Sequence, residues 1–113
     1  MPPKKTETLG TLEQLVLLAL ARLHGNAYGV TIRQEIETRA GRRISLGAIY
    51  PTLDRLEQKG LVSSYMTEPT SVRGGRSRRH FELEPAGADA LLEARHQLSS
   101  MWAGLKLRPR HSG

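Results

Sequence analysis

Four arginines fall within seven residues at Arg73-Gly74-Gly75-Arg76-Ser77-Arg78-Arg79, and no acid lies between Glu68 and Glu82. Guanidinium groups present a planar fork of donors that fits phosphate oxygens or a narrow minor groove. The paired glycines let the backbone turn tightly beneath them. A loop of this composition can also be merely solvated; in a basic chain it points to contact with DNA or RNA. A second set of groups lies upstream. Arg42 and Arg43 precede Ser45, which is suited to cap a helix. The outward side of that helix carries Gly47, Ala48, Pro51, Arg55 and Lys59, with Thr52 at the border and Tyr50 flanking it. Small residues allow close approach to a groove floor, while Ser45, Thr52 and Arg55 can bond bases or phosphates. An ordinary solvated helix face has the same look residue by residue; it is the conjunction with the arginine loop that favours a helix-plus-wing surface.

Residues suited to catalysis are not gathered in this way. His24, His80, His96 and His111 are scattered, with no spacing that shares one helix face, so no metal site is expected. Ser99 and Ser100 lack a Gly-x-Ser-x-Gly setting, and no glycine-rich phosphate loop follows a strand. The absence of cysteine removes disulfides, thiolate zinc sites, iron–sulfur clusters and a Cys nucleophile. The expectation is a binding protein with no cofactor and no catalytic residue.

The composition is consistent with that. Seventeen Lys and Arg against eleven Asp and Glu give +6 over 113 residues, which suits one domain with a polyanionic partner. At 38% hydrophobic residues the core is lean, and association with another copy would help to stabilise it. The longest apolar stretch, Leu15 to Ala21, is too short to cross a bilayer, which takes about 20 residues. Met1-Pro2-Pro3-Lys4-Lys5 lacks the apolar core of a signal peptide, so a cytoplasmic protein without membrane contact is expected.

These groups must be held by a small number of elements. Residues 1–8 and 106–113 read as flexible basic tails. The first helix starts at a capping box of Thr11 and Gln14. Leu12, Leu15, Val16, Ala19 and Leu23 share one face, yet Leu17, Leu18, Leu20 and Ala21 are apolar too, so the helix is greasy nearly all round. Its second covered face is expected from another subunit, with a central core helix of a monomer as the alternative. A second helix runs from about Tyr28 to Ala40 and stops at Gly41. The third turns Leu46, Ile49, Leu53 and Leu56 inward, with an irregularity expected at Pro51, and closes at Gly60. Val62 to Thr67 and Arg78 to Leu83 read as a hairpin, with Phe81 and Leu83 on one side and His80 and Glu82 on the exposed other. Pro85 opens a last helix in which Leu91, Ala94, Leu98, Met101 and Leu105 step by 3, 4, 3 and 4, a short seam for a partner helix. The fold class is therefore mainly α with a small β-hairpin: a winged helix-turn-helix over residues 9–84, then a C-terminal dimerisation helix over 85–105. Leu17 and Leu20 join the seam residues as the expected dimer interface. Trp102, beside the seam, either packs in a dimer core or lines an inter-subunit cavity for a small flat hydrophobic or aromatic effector.

The run Ser45-Leu46-Gly47-Ala48-Ile49-Tyr50-Pro51-Thr52-Leu53-Asp54-Arg55-Leu56-Glu57-Gln58-Lys59-Gly60-Leu61 resembles the signature of PadR-type transcriptional regulators. Gly74-Gly75-Arg76-Ser77-Arg78-Arg79-His80-Phe81-Glu82-Leu83 followed by Gly87 resembles a second motif of that family, and Tyr28-Gly29 fits as well. The chain departs at His80, where the family usually has an aromatic residue, and at Glu84, where it has Thr. The resemblance implies a homodimeric repressor that places the third helix in the major groove of double-stranded DNA and the wing on the neighbouring backbone. It implies dimerisation through the last helix, assisted by the first, and for some members a planar or phenolic effector at the interface. Two other readings stay open on the residues: a basic winged-helix RNA-binding protein, and an interaction module that uses its apolar first and last helices to hold a protein.

Overall fold

The chain runs α1 (Thr11–Leu23), α2 (Gly29–Ala40), α3 (Leu46–Gln58), β1 (Val62–Met66), β2 (Arg79–Leu83) and α4 (Pro85–Trp102). The structure, a computed structural model, describes residues 8–68 and 77–110. The expected tail at 1–8, Thr8 apart, therefore lies outside the described residues, as do Arg73, Gly74, Gly75 and Arg76. The architecture is a winged helix-turn-helix followed by one C-terminal helix. No helix among the described residues is long and apolar enough to cross a membrane.

The cap of α1 sits one residue earlier than the sequence reading puts it. Gly10 is the N-cap, and its N–H donates to Glu13 Oε1 at 2.9 Å. A carboxylate at that position also faces the positive end of the helix dipole, which Gln14 cannot match. The other Glu13 oxygen accepts from Lys59 Nζ at 3.3 Å, so the α1 cap is tied to the end of α3. Along α1, Val16, Leu17, Ala19 and Leu20 are buried among Ile32, Ile36, Ile49, Leu53 and Leu56. This corrects the expectation for Leu17 and Leu20: both are covered by the chain's own α2 and α3 side, and neither is open to a partner. The uncovered stripe of α1 is the adjacent one, with Leu18 and Ala21 exposed.

Tyr28 caps α2 in extended geometry, and Thr31 Oγ1 accepts from its N–H at 3.0 Å. Ser45 caps α3, which continues through Pro51 as one helix; the missing N–H leaves only the exposed Gly47 turn without its bond. Past Gln58 the chain turns sharply. Gly60 adopts φ +77°, its N–H donates to Glu57 O, and the Leu61 N–H reaches back to Leu56 O, both at 3.0 Å. That double closure requires a residue with no Cβ penalty at positive φ.

β1 and β2 pair antiparallel, with Val62 opposite Leu83 and Met66 opposite Arg79. Phe81 is buried, and its N–H donates to Ala27 O at 2.8 Å, which stitches the hairpin to the α1–α2 connection. His80, expected on the exposed side, is 8% exposed. Alternation turns it away from the core correctly, but Tyr28 covers that side and its cross-strand partner Tyr65 stacks on it at 5.6 Å.

The Leu61 carbonyl accepts the Glu84 N–H at 3.0 Å just before Pro85 opens α4. Gly87 in the first turn then passes directly over it: a Cβ there would lie 2.3 Å from Leu61 O and 2.7 Å from Leu83 Cδ1. α4 ends at Trp102, with a turn through Gly104 at φ +82°. The expected helix to residue 105 is thus three residues too long, and Leu105 lies beyond the helical seam. Leu91 and Ala94 are half-buried, whereas the helix from Arg95 onward is exposed on every side.

Two outcomes follow from these joints. Gly87→Ala should destabilise by about 1–3 kcal/mol through backbone overpacking, more than the roughly 1 kcal/mol that alanine gains in a helix. Thermal unfolding by circular dichroism would show a lower Tm; an unchanged Tm would rule out the close approach. Burial opposes the charge on Glu13, but the Gly10 N–H and Lys59 outweigh it and hold its carboxyl below the ordinary 4.5. A lowered folded pKa means a stabilisation present above about 4.5 and lost as pH falls through the folded value. Glu13→Gln should therefore lower Tm at neutral pH, and the gap from wild type should narrow as the pH falls below 4.5 and the carboxyl takes up its proton.

Candidate nucleic-acid interface

The face of α3 turned away from the core steps by 4, 3 and 4: Gly47, Pro51, Asp54 and Gln58 are all exposed. Ser45 is exposed at its start, and its hydroxyl makes no cap hydrogen bond. Arg42 and Arg43 stand exposed in the connection before it, Arg43 only loosely paired to Glu37 at 3.7 Å. Ala48 is half-buried and Arg55 exposed at the rim, where Arg55 Nη2 donates to Thr52 Oγ1 at 3.2 Å.

Two members of the expected helix set have partners within the fold, Thr52 buried and Tyr50 still 39% exposed. Thr52 is 1% exposed and its hydroxyl donates to Ala48 O at 2.8 Å, so it supports the helix and holds Arg55 instead of facing a groove. The Tyr50 ring lies across the start of α2. A Cβ on Gly29 would sit 2.3 Å from the Tyr50 hydroxyl oxygen, so a glycine at the first residue of α2 makes room for the phenol. Tyr28-Gly29 and Tyr50, which the sequence separates by twenty residues, meet at the angle between α2 and α3.

The hairpin base carries the described part of the wing. Arg78 is exposed, and its guanidinium carbon lies 4.6 Å from the Tyr28 ring centroid, a cation–π contact that steadies the stem. Thr67 pairs with Arg78 beyond the strand ends, backbone N–H to Arg78 O at 2.8 Å and Oγ1 from the Arg78 N–H at 2.9 Å. Arg79 behaves differently from the expectation of a free wing cation. Its Nη1 donates to Asp54 Oδ1 at 3.1 Å and its Nη2 to Glu57 Oε1 at 2.5 Å. Partial burial works against its charge, but Glu57 and Asp54 prevail and raise its pKa above the already high arginine value. A cleft of about 350 Å³ lined by Tyr28, Tyr50, Ser77 and Arg78 separates the hairpin base from the α2–α3 corner.

Asp54 and Glu57 are the interface residues that sequence reasoning left out. The signal was present: Arg79 precedes Phe81 by two on a strand, so the alternation that turns Phe81 inward also turns Arg79 toward α3. At the far end of the domain, an open apolar groove of about 450 Å³ runs between α1 and α4, lined by Leu18, Ala21, Leu91, Leu92, Leu98 and Trp102. Leu98, Met101 and Trp102 are each more than half exposed. Among the described residues no group of three or more His, Asp or Glu side chains is placed to hold a metal ion.

Residues 16–93 match the family described as transcriptional regulator PadR-like. The transcriptional regulator Rv3488 of Mycobacterium tuberculosis is 39% identical over 90 residues, spanning 74% of this chain and 79% of that protein. Among solved structures, a PadR-like transcription factor from Bacteroides fragilis matches with TM-score 0.68 at 29% identity, over 81% of this chain and 84% of its own. A PadR family transcription regulator from hypervirulent Clostridium difficile also gives TM-score 0.68, at 26% identity over 81% of this chain and 91% of its own.

Proposed function

The chain belongs to the PadR-like family of transcriptional regulators, and on that premise we propose that it represses transcription as a homodimer on a pseudo-palindromic operator in double-stranded DNA. The observation that carries this reading is the surface shared by α3 and the hairpin base: a stripe of small exposed residues beside Arg42, Arg43, Arg55 and Arg78. Gly47 and Pro51 admit the helix to a major groove, Ser45 and Arg55 offer donors to base edges or phosphates, and Arg78 leads into the arginine loop on the flanking backbone. Residues 9–84 form the DNA-binding unit in this reading, and 85–105 the dimerisation segment.

The dimer follows from apolar surface that a solitary domain leaves in water. Leu98 and Trp102 on α4 share one apolar groove with Leu18 on α1, and Met101 on α4 is exposed too; exposed apolar surface of this kind marks an interface. Two α3 helices held by it would enter successive major grooves about 34–36 Å apart. Trp102 flanks the open groove, so a small flat hydrophobic molecule seated there between subunits would act as effector.

Fluorescence anisotropy on the gene's own upstream duplex, a shuffled duplex and an RNA, each titrated with salt, tests the reading. A preference of about 10³ or more for the upstream duplex at physiological salt is expected. An RNA preference, or equal and salt-fragile binding to all three, would overturn it. Arg78→Ala should lower the salt slope by about 0.9 and weaken binding to every duplex alike, as loss of one phosphate contact does. Leu98→Glu should place a charge in the seam and yield monomers near 12.5 kDa by light scattering; an unchanged dimer mass would sink the α4 interface.

A further inference from the structure

Arg79 belongs by sequence to the arginine run and by structure to α3. It shares a strand face with buried Phe81, its guanidinium lies 4.8 Å over the Phe81 ring, and both its Nη groups end on α3 carboxylates. Glu57 is gripped from both strands: Oε1 accepts from Arg79 of β2, and Oε2 accepts from Ser64 Oγ of β1 at 2.7 Å. Asp54 lies on the same exposed stripe as Gly47 and Pro51, where an uncompensated carboxylate would repel the phosphates beside a groove.

We propose that Arg79 is a positioning residue for DNA recognition and not a phosphate contact: it locks the hairpin onto α3 through Asp54 and Glu57 and partly offsets the Asp54 charge on the groove-facing stripe. The inference rests on the DNA-binding reading above and assigns separate work to two adjacent arginines. Arg78, exposed beside the Tyr28 ring, is the one that meets the ligand; Arg79 sets the angle between wing and helix. The division follows the partners each makes: Arg78, just before β2, lies over Tyr28, while Arg79, on the Phe81 face of β2, ends on α3.

The test uses the full chain and a duplex selected on the wild-type protein from a randomised pool. Arg79→Gln with Glu57→Gln keeps the local net charge while removing the bridge. Its salt slope should equal that of wild type, whereas loss of a phosphate contact would lower it by about 0.9. Arg79→Glu should weaken binding by about tenfold or more, within the span of coupled neighbours. The exchanged pair, Arg79→Glu with Glu57→Arg, made together with Asp54→Asn so that no carboxylate faces the new acid, should recover most of that loss, because the bridge re-forms in reverse. A reduced slope in the charge-matched pair overturns the proposal, as does an exchanged pair with a wild-type circular dichroism spectrum that binds no better than Arg79→Glu. Should the exchanged pair not fold, the slope of the charge-matched pair decides. If no duplex can be selected on the wild-type protein, it is the DNA-binding reading that falls, and this proposal with it.

Discussion

The backbone carbonyl of Leu61 is the joint on which α3, the hairpin and α4 all depend. It follows directly from the glycine turn that ends α3, it accepts the N–H of Glu84 where β2 gives way to α4, and Gly87 presses over it. A side chain at residue 87 would push α4 off this turn, and a Cβ at residue 60 would oppose the positive φ that produces it. The exposed face of α3 and the apolar α4 surface are thus fixed to one another through a few backbone atoms, with two glycines as the steric condition.

Charge is arranged around that frame in two different states of engagement. Arg42, Arg55 and Arg78 stay exposed, so their fields extend into solvent where a polyanion would meet them. Lys59 and Arg79 are drawn into bridges with Glu13, Asp54 and Glu57, which join α1 to α3 and the hairpin to α3. Half-exposed pairs of this kind add little stability singly. Each bridge crosses between elements, so it adds a directional polar contact where the apolar packing is non-directional.

The order of elements was legible in the sequence because each boundary carries its own chemistry. Gly41 and Gly60 stop helices, Pro85 starts one, and the change from helical to alternating period at Val62 marks the hairpin. What was less legible concerns what lies on top of a correctly assigned face. Alternation turns His80 away from the core, but only the fold brings Tyr28 across to cover it. Leu17 and Leu18 are equally apolar neighbours, about 100° apart on the helix, and nothing local says which of them packs on α2 and α3. Thr52 sits at the edge of the inner face, where spacing alone does not decide between burial and exposure; it is buried. Arg79 is the instructive case, since its side was readable from Phe81 while its partners, Asp54 and Glu57, lie over twenty residues away.

α1 connects the two ends of the molecule by using adjacent stripes for different purposes. One stripe, with Val16, Leu17 and Leu20, is the wall of the core against which Ile49, Leu53 and Leu56 of α3 pack. The next, with Leu18 and Ala21, is the floor of the groove under Leu91, Leu98 and Trp102 of α4. A body seated in that groove bears on the helix whose other side supports α3, and the Glu13–Lys59 bridge joins the same two helices at the cap of α1. Interiors packed to crystal-like density do not absorb a shift of a helix wall by compression. A displacement of α1 toward or away from the groove must therefore be taken up at the α1–α3 contact, and hence in where the Gly47–Pro51 stripe stands.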